Sequence, residues 1–332
     1  MRLQIVSVIC GFFISLAAGY LIIPLLKKLK AGQQVRDDGP QSHLSKTGTP
    51  TMGGVIILLG TLITTLIFAK GEMSMVLVAL AAYLGYSLIG LIDDMIIVLK
   101  KRSLGLRAWQ KFLAQVVLAV FVALYAYNNA DIGSTVVIPF FNIEWDMGFW
   151  FIPFTVFVIV GMVNSVNLTD GLDGLATSVS LLNSFTFCFI FSGIIAIALA
   201  HGRAGFASDM QNMTVFAAAL TGGLLAFLRF NSYPAKVFMG DTGSLGLGAA
   251  ITVMAIFSRL QLILPIISFM FMITTISVIL QVGSYKIRKK RIFKMAPLHH
   301  HFELKGVKEP KIVVSYMIIT TLLCLITLWA LS

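Results

Sequence analysis

Long apolar runs separated by short polar connectors set the pattern of this chain. They lie at Leu3 to Leu26, Met52 to Ala69, Met75 to Ile92, Ala108 to Tyr127, Phe149 to Leu168, Leu175 to Ala200, Met213 to Leu228, Gly243 to Ser258, Leu262 to Val282 and Ile312 to Leu331. Most approach the roughly 20 residues that a helix needs to cross about 30 Å of hydrocarbon; the seventh and eighth runs are the short ones. One connector, STVVIPFFNIEW, alternates enough to predict a small hairpin. The pattern as a whole predicts an all-α polytopic membrane protein with ten transmembrane helices, forming one domain over 1–332.

Composition agrees, with 58% hydrophobic and 12% charged residues and a mean hydropathy of +0.92. Charge then supplies an orientation. The first run has only Arg2 before it and is followed by Lys27, Lys28 and Lys30, which argues for an uncleaved helix with its N-terminus outside. Ten spans then put the C-terminus outside too and the odd-numbered connectors in the cytoplasm, where 21 of the 25 Lys and Arg fall, against Arg2, Lys70, Arg203 and Arg259 outside. This distribution accounts for the net charge of +11 as a basic surface facing the cytosol and anionic headgroups. No aromatic-rich basic groove accompanies it, so no nucleic acid partner is expected. Cys10, Cys188 and Cys324 all lie within apolar runs, which suggests neither a disulfide framework nor a cysteine metal site.

The acids sort by side as well. Glu72, Asp131, Glu144, Asp146 and Asp209 fall in outer connectors, while Asp37, Asp38, Asp93, Asp94, Asp170, Asp173, Asp241, Glu303 and Glu309 fall inside. With none at mid-membrane, the distribution weighs against ion-coupled transport and favours chemistry at the cytoplasmic interface.

Four inner segments carry the unusual polar groups. In LIGLIDDMIIVLKKR, Asp93 and Asp94 sit near the negative end of a helix dipole, a costly placement without a compensating cation; Lys100 and Lys101 could supply it at a merely solvated helix end. NLTDGLDGLA, from Asn167, reads alone as a tight turn. RFNSYPAKVFMGDTGSLGLGA places Asp241 before a glycine-rich helix start, where glycines permit either close helix packing or the approach of phosphate oxygens. APLHHHFELKG follows a basic run, YKIRKKRIFK, that suits a lipid-headgroup anchor; its three adjacent histidines cannot easily converge on one ion and suit hydrogen bonding or proton movement near phosphate. Carboxylates, glycines, lysines and imidazoles on one face are what handling a diphosphate with Mg²⁺ requires. A site at the membrane surface implies one soluble and one lipid-borne substrate.

The DD pair, NLTDGLDGLA, FMGDTGSL and PLHHHFE, in this order, together with GTPTMGG at Gly48 to Gly54 ahead of them and across essentially the whole chain, resemble the phospho-N-acetylmuramoyl-pentapeptide transferase family of bacterial peptidoglycan synthesis. The resemblance implies transfer of phospho-MurNAc-pentapeptide from UDP-MurNAc-pentapeptide to undecaprenyl phosphate in the bacterial cytoplasmic membrane, with Mg²⁺, giving lipid I and UMP. It implies Asp241 as the Mg²⁺ ligand, Asp93 as the base that deprotonates the lipid phosphate, and Asp94 as support for metal or base. It implies a nucleoside pocket of Lys46, Asn167, Asp170, Asp173, Asn231 and Phe238, with Phe238 stacking on uracil. His299 ranks first among the histidines, with His300 and His301 nearby, and Lys111 assists with phosphate charge. A two-step route through an aspartyl-phosphate stays open, and a homodimer is suggested. Two rivals remain: a sibling transferase that moves GlcNAc phosphate from a UDP donor, which PLHHHFE disfavours, and a non-enzymatic lipid-binding protein or transporter.

Overall fold

The computed structural model describes residues 2–29, 46, 48–100, 105–141 and 143–331. Lys30, Arg36, Asp37, Asp38, Lys101 and Arg102, counted above by side, lie outside the described residues. Helices dominate: α1 (Arg2–Lys28), α2 (Gly54–Phe68), α3 (Ser74–Lys100) and α4 (Ala108–Asn128) lead to a two-stranded hairpin, then α5 (Phe151–Thr169), α6 (Leu175–Ala200), α7 (Ala204–Asn231) and α8 (Gly240–Phe257). A short α9 (Leu264–Ile267), α10 (Phe269–Arg288), a six-residue α11 (Leu298–Glu303) and α12 (Glu309–Leu331) complete the chain. Among the described residues nine helices are long and apolar enough to cross a membrane, which makes this a multi-pass membrane protein; the tenth expected span, α2, is an apolar helix of 15 residues.

Several boundaries depart from the hydropathy pattern, each for a physical reason. The second is short because Met52, at φ +68°, and Gly53 form a turn tied to the segment before α8 instead of helix: Phe238 N–H donates to Pro50 O, and Gly53 and Gly54 N–H donate to Phe238 O and Met239 O. The seventh is long rather than short. Helix α7 begins at Ala204 and takes in Asp209, which is therefore not in a connector: it is buried, and its carboxylate meets Met75 N–H at the start of α3. Helix α3 runs through Asp93 and Asp94 to Lys100, with no Gly or Pro after Gly90 to stop it. The ninth run is broken into a 3₁₀ turn at Gln261–Ile263, α9 and α10, with Pro265 at the start of α9 and the break at Ser268. The alternating connector does fold as a hairpin, β1 (Thr135–Ile138) antiparallel to β2 (Ile143–Asp146) with Thr135 opposite Asp146.

Helices α7 and α8 occupy the centre, where α1, α2 and α6 surround the former and α3 and α5 the latter. Their small residues, AAALTGG in α7 and GSLGLGAA in α8, let neighbouring backbones come close. One such close approach is where α3 meets the start of α8: a Cβ on Gly90 would collide with the carbonyl of Asp241. This crossing sets the two acid-bearing segments against each other.

Candidate active site

Consecutive residues on a helix point about 100° apart, so Asp93 and Asp94 face different neighbours. Both are buried, at 6% and 5% exposure, which rules out the solvated helix end balanced by Lys100. Asp94 turns to α8. Its Oδ1 accepts Asp241 N–H at 3.2 Å, and its Oδ2 accepts Thr242 N–H at 3.0 Å and the Thr242 hydroxyl at 2.7 Å. A carboxylate unfavourably placed at the C-terminal part of its own helix is thus favourably placed at the N-terminus of another, satisfying amides that have no partner within α8. Gly240, at φ +72°, makes room, since a Cβ there would stand 2.6 Å from Asp94 Oδ2.

Asp93 turns instead to α4. Its Oδ1 accepts Leu106 N–H at 2.7 Å and its Oδ2 lies 3.8 Å from Lys111 Nζ. The same ammonium makes a short ion pair with Asp241 Oδ2, while Asp241 Oδ1 accepts Asn167 Nδ2–H at 2.7 Å. Lys111 is thus the cation that Asp93 and Asp241 share, while Asp94 is met by the N-terminus of α8. The Asp241 side chain is 23% exposed against 8% for Asp93, so of the two it is the more open to a ligand.

The end of α5, with Asn167, and the turn after it, Asp170 to Asp173, join this cluster to a second one. Asp170 faces the first: burial, then the negative charges of Asp241, Asp94 and Asp173, push its pKa up to about 8. Asp173, three residues on, belongs to the second. Lys46 Nζ donates to Asp173 Oδ1 at 2.7 Å and to Glu309 Oε1 and Oε2 at 2.7 and 2.8 Å. Burial alone would lower the Lys46 pKa, but the hydrogen bonds and charges of Asp173 and Glu309 outweigh it and leave it raised. Asp173 Oδ2 accepts Ala235 N–H at 2.9 Å.

Asn231 lies at the end of α7 with its amide engaged inside the fold, donating to Val237 O at 3.0 Å and accepting the Thr177 hydroxyl at 2.7 Å. It shapes the loop that carries the half-buried Phe238. His299 is fully buried on α11, with its ring against Gly171, where a Cβ would collide with Nε2. The His300 ring stacks edge-on with that of His299, and its Nδ1 pairs with Glu303 at 2.6 Å. His301 Nδ1 accepts Lys294 N–H at 3.0 Å; partial burial and the charges of Lys305 and Lys294 hold its pKa below the usual histidine value.

The structure therefore brings Asp93, Asp94, Asp241, Lys111, Asn167 and Asp170 together, and ties Lys46 and Asp173 to them through one turn. Thr242, Glu309 and Gly171 were not anticipated. Glu309 is an acid amid the lysines of KGVKEPK, a contrast that by itself reads as an ordinary first-turn helix acid. Among the described residues no group of three or more His, Cys, Asp or Glu is arranged to hold a metal ion by itself. The oxygen-only donors Asp93 and Asp241 nonetheless fit Mg²⁺, which characteristically takes one or two carboxylates and completes its shell with substrate phosphates and water.

Comparison with known proteins bears on the identity of the chain. Residues 75–259 match glycosyl transferase family 4, and residues 46–58 match the phospho-N-acetylmuramoyl-pentapeptide-transferase signature 1. The protein of that name from Caldanaerobacter subterraneus subsp. tengcongensis is 48% identical over 328 residues, covering 99% of this chain and 98% of the relative. Those from Clostridium novyi and Thermoanaerobacter pseudethanolicus are 45% and 46% identical, covering 98% and 99% of this chain and 96% and 98% of the relatives. With identity at this level along nearly its full length, the chain belongs to the phospho-N-acetylmuramoyl-pentapeptide-transferase family.

Proposed function

We propose that this protein moves phospho-MurNAc-pentapeptide from UDP-MurNAc-pentapeptide to undecaprenyl phosphate, releasing UMP and forming lipid I, the first membrane step of peptidoglycan synthesis. The observation that carries the reading is the meeting of Asp93 and Asp241, 148 residues apart in the chain, on one ammonium, that of Lys111. In this reading residues 1–332 act as one transferase unit of the bacterial cytoplasmic membrane. The site lies at the cytoplasmic face and both termini lie outside, an orientation supported by the 21-to-4 division of Lys and Arg.

Asp93 takes the proton from the lipid phosphate, one of whose oxygens attacks the sugar-proximal phosphorus of the donor. A new P–O–P bond forms as the bond to UMP breaks. Leu106 N–H and Lys111 hold Asp93 in place for this, and Lys111 also steadies Asp241. Asp241, with Asp93 beside it, would hold Mg²⁺, which when bound neutralises diphosphate charge. Asp94 keeps the start of α8, and so Asp241, in register. Lys46, Asn167, Asp170, Asp173, Asn231 and Phe238 border the nucleoside, and His299, with His300 and His301 on the same short helix, supports the phosphates. The protein pairs with a second copy, testable by cross-linking in native membranes.

The direct experiment uses purified protein in detergent. UMP release is expected only when UDP-MurNAc-pentapeptide, undecaprenyl phosphate and Mg²⁺ are all present. Preferential turnover of UDP-GlcNAc would assign the sibling activity instead, and lipid binding without UMP release would refute the transferase reading.

A further inference from the structure

We infer that Glu309 is a positioning residue for the nucleoside end of the site, acting through Lys46 and Asp173. The inference rests on the reading that Lys46 and Asp173 border the donor's nucleoside. An ammonium has three N–H donors, and those of Lys46 are matched by three carboxylate oxygens, one from Asp173 and two from Glu309. Lys46 is left with no donor for a phosphate oxygen. Its task is to fix carboxylates.

Asp173 is the carboxylate so fixed. One oxygen is held by Lys46 and the other by Ala235 N–H, so each keeps a lone pair for a ligand. Its backbone N–H donates to Glu309 Oε1. Glu309 is thus bonded to both partners of the Lys46–Asp173 pair, and it reaches them from the first turn of α12, 136 residues beyond Asp173. The three side chains are 14%, 3% and 8% exposed, so the geometry is held where water screens it little. Removing Glu309 would leave Lys46 with a single anionic partner and Asp173 with an unheld backbone. A pocket edge with a defined direction would become a mobile one.

A triad that merely stapled α12 to the bundle would also be stabilising, so the test must separate the two. In the full-length protein, Glu309→Gln is expected to raise the KM for UDP-MurNAc-pentapeptide by roughly ten- to a hundredfold, the loss of a charge-assisted hydrogen bond. The KM for undecaprenyl phosphate should stay within about twofold. Calorimetry with UMP alone should show the same weakening. Lys46→Met should match it, and the double variant should be no worse than Lys46→Met, because Glu309 acts through that residue. Unchanged UMP affinity, equal losses for both substrates, an additive double variant, or a Glu309→Gln protein that does not fold would each overturn the proposal. Wild-type protein that binds UMP tightly but never releases it from the donor would instead overturn the transferase reading, leaving the role of Glu309 in nucleotide binding intact.

Discussion

The carboxylate of Asp94 accepts the hydroxyl of Thr242 at 2.7 Å, and through this bond the C-terminal part of α3 caps the first turn of α8. The cap is tertiary: the side chain that satisfies α8 comes from 148 residues earlier. An N-cap of this kind is worth about 1 kcal/mol, more when the acceptor is charged and buried. Asp94→Asn should therefore lower both thermal stability and turnover, and Thr242→Val should reproduce most of the stability loss. Unfolding curves in detergent check this; an Asp94→Asn protein that melts with the wild type would remove the capping role.

Asp93 and Asp241 are expected to behave differently. Each sits against Lys111, so replacing one by Asn relieves crowding of negative charge while removing a reacting or metal-binding group. Asp93→Asn and Asp241→Asn should abolish turnover with little loss of melting temperature. Lys111→Met should cost about 3 kcal/mol or more, because it leaves neighbouring carboxylates without their shared cation. Comparing UMP release with thermal unfolding across the three variants decides the point, and full activity in Asp241→Asn would end its assignment.

Metal removal gives an independent handle. EDTA should stop UMP release, and added Mg²⁺ should restore it. Asp93→Glu, if residually active, should need a higher Mg²⁺ concentration, since the longer side chain displaces one of the two carboxylates assigned to the ion. Turnover that survives exhaustive chelation would exclude the ion.

Asp170 predicts a pH dependence of stability. Its pKa stands at about 8 in the fold, above the ordinary 3.8, so between these values the folded protein holds a proton that the unfolded chain releases. Stability from this group is fullest below the lower value and declines as pH rises toward 8. Asp170→Asn should remove that slope, so the variant gains on the wild type as pH increases and the gap levels off above about pH 8. Melting temperatures from pH 5 to 9, taken in EDTA, test this; parallel curves would refute it.

Gly171 offers the smallest informative change. A single methyl there would meet the His299 imidazole. Gly171→Ala should displace α11 and cut turnover by roughly tenfold, in keeping with the sensitivity of catalysis to about 1 Å of misplacement. Gly171→Ala with normal turnover would show that His299 can move without consequence.

Much of the fold was legible because lipid imposes both length and composition on a spanning helix, so each of the ten apolar runs contains a helix, although the third and seventh helices extend well beyond their runs and the ninth run is broken at Ser268. The errors came where remote segments supply polar partners. Met52 and Gly53 look like the start of a span, yet their neighbourhood pairs with Phe238 and Met239. Asp209 looks like a loop acid, yet Met75 N–H gives it a buried partner. The site followed the same rule. Residue types and spacing exposed Asp93, Asp241 and the segment from Asn167 to Asp173, and the family pattern carried Lys46 and Phe238. Glu309 stayed hidden because an acid in a helix's first turn already has an ordinary explanation in the helix dipole. Its partners, Lys46 and Asp173, lie far away in sequence, and local pattern holds no trace of that distance.

The central placement of α8 bears on how the enzyme meets membranes of different thickness. Its flanks touch protein along almost their whole length, so the bilayer has little grip on it. Hydrophobic mismatch acts on helices exposed to acyl chains, which tilt to match the hydrocarbon depth. Peripheral helices such as α1, α4 and α12 can absorb that adjustment while the post that bears Asp241 keeps its height. Thinning or thickening the bilayer should thus alter how readily a lipid-borne acceptor arrives, and leave the spacing of the reacting groups untouched.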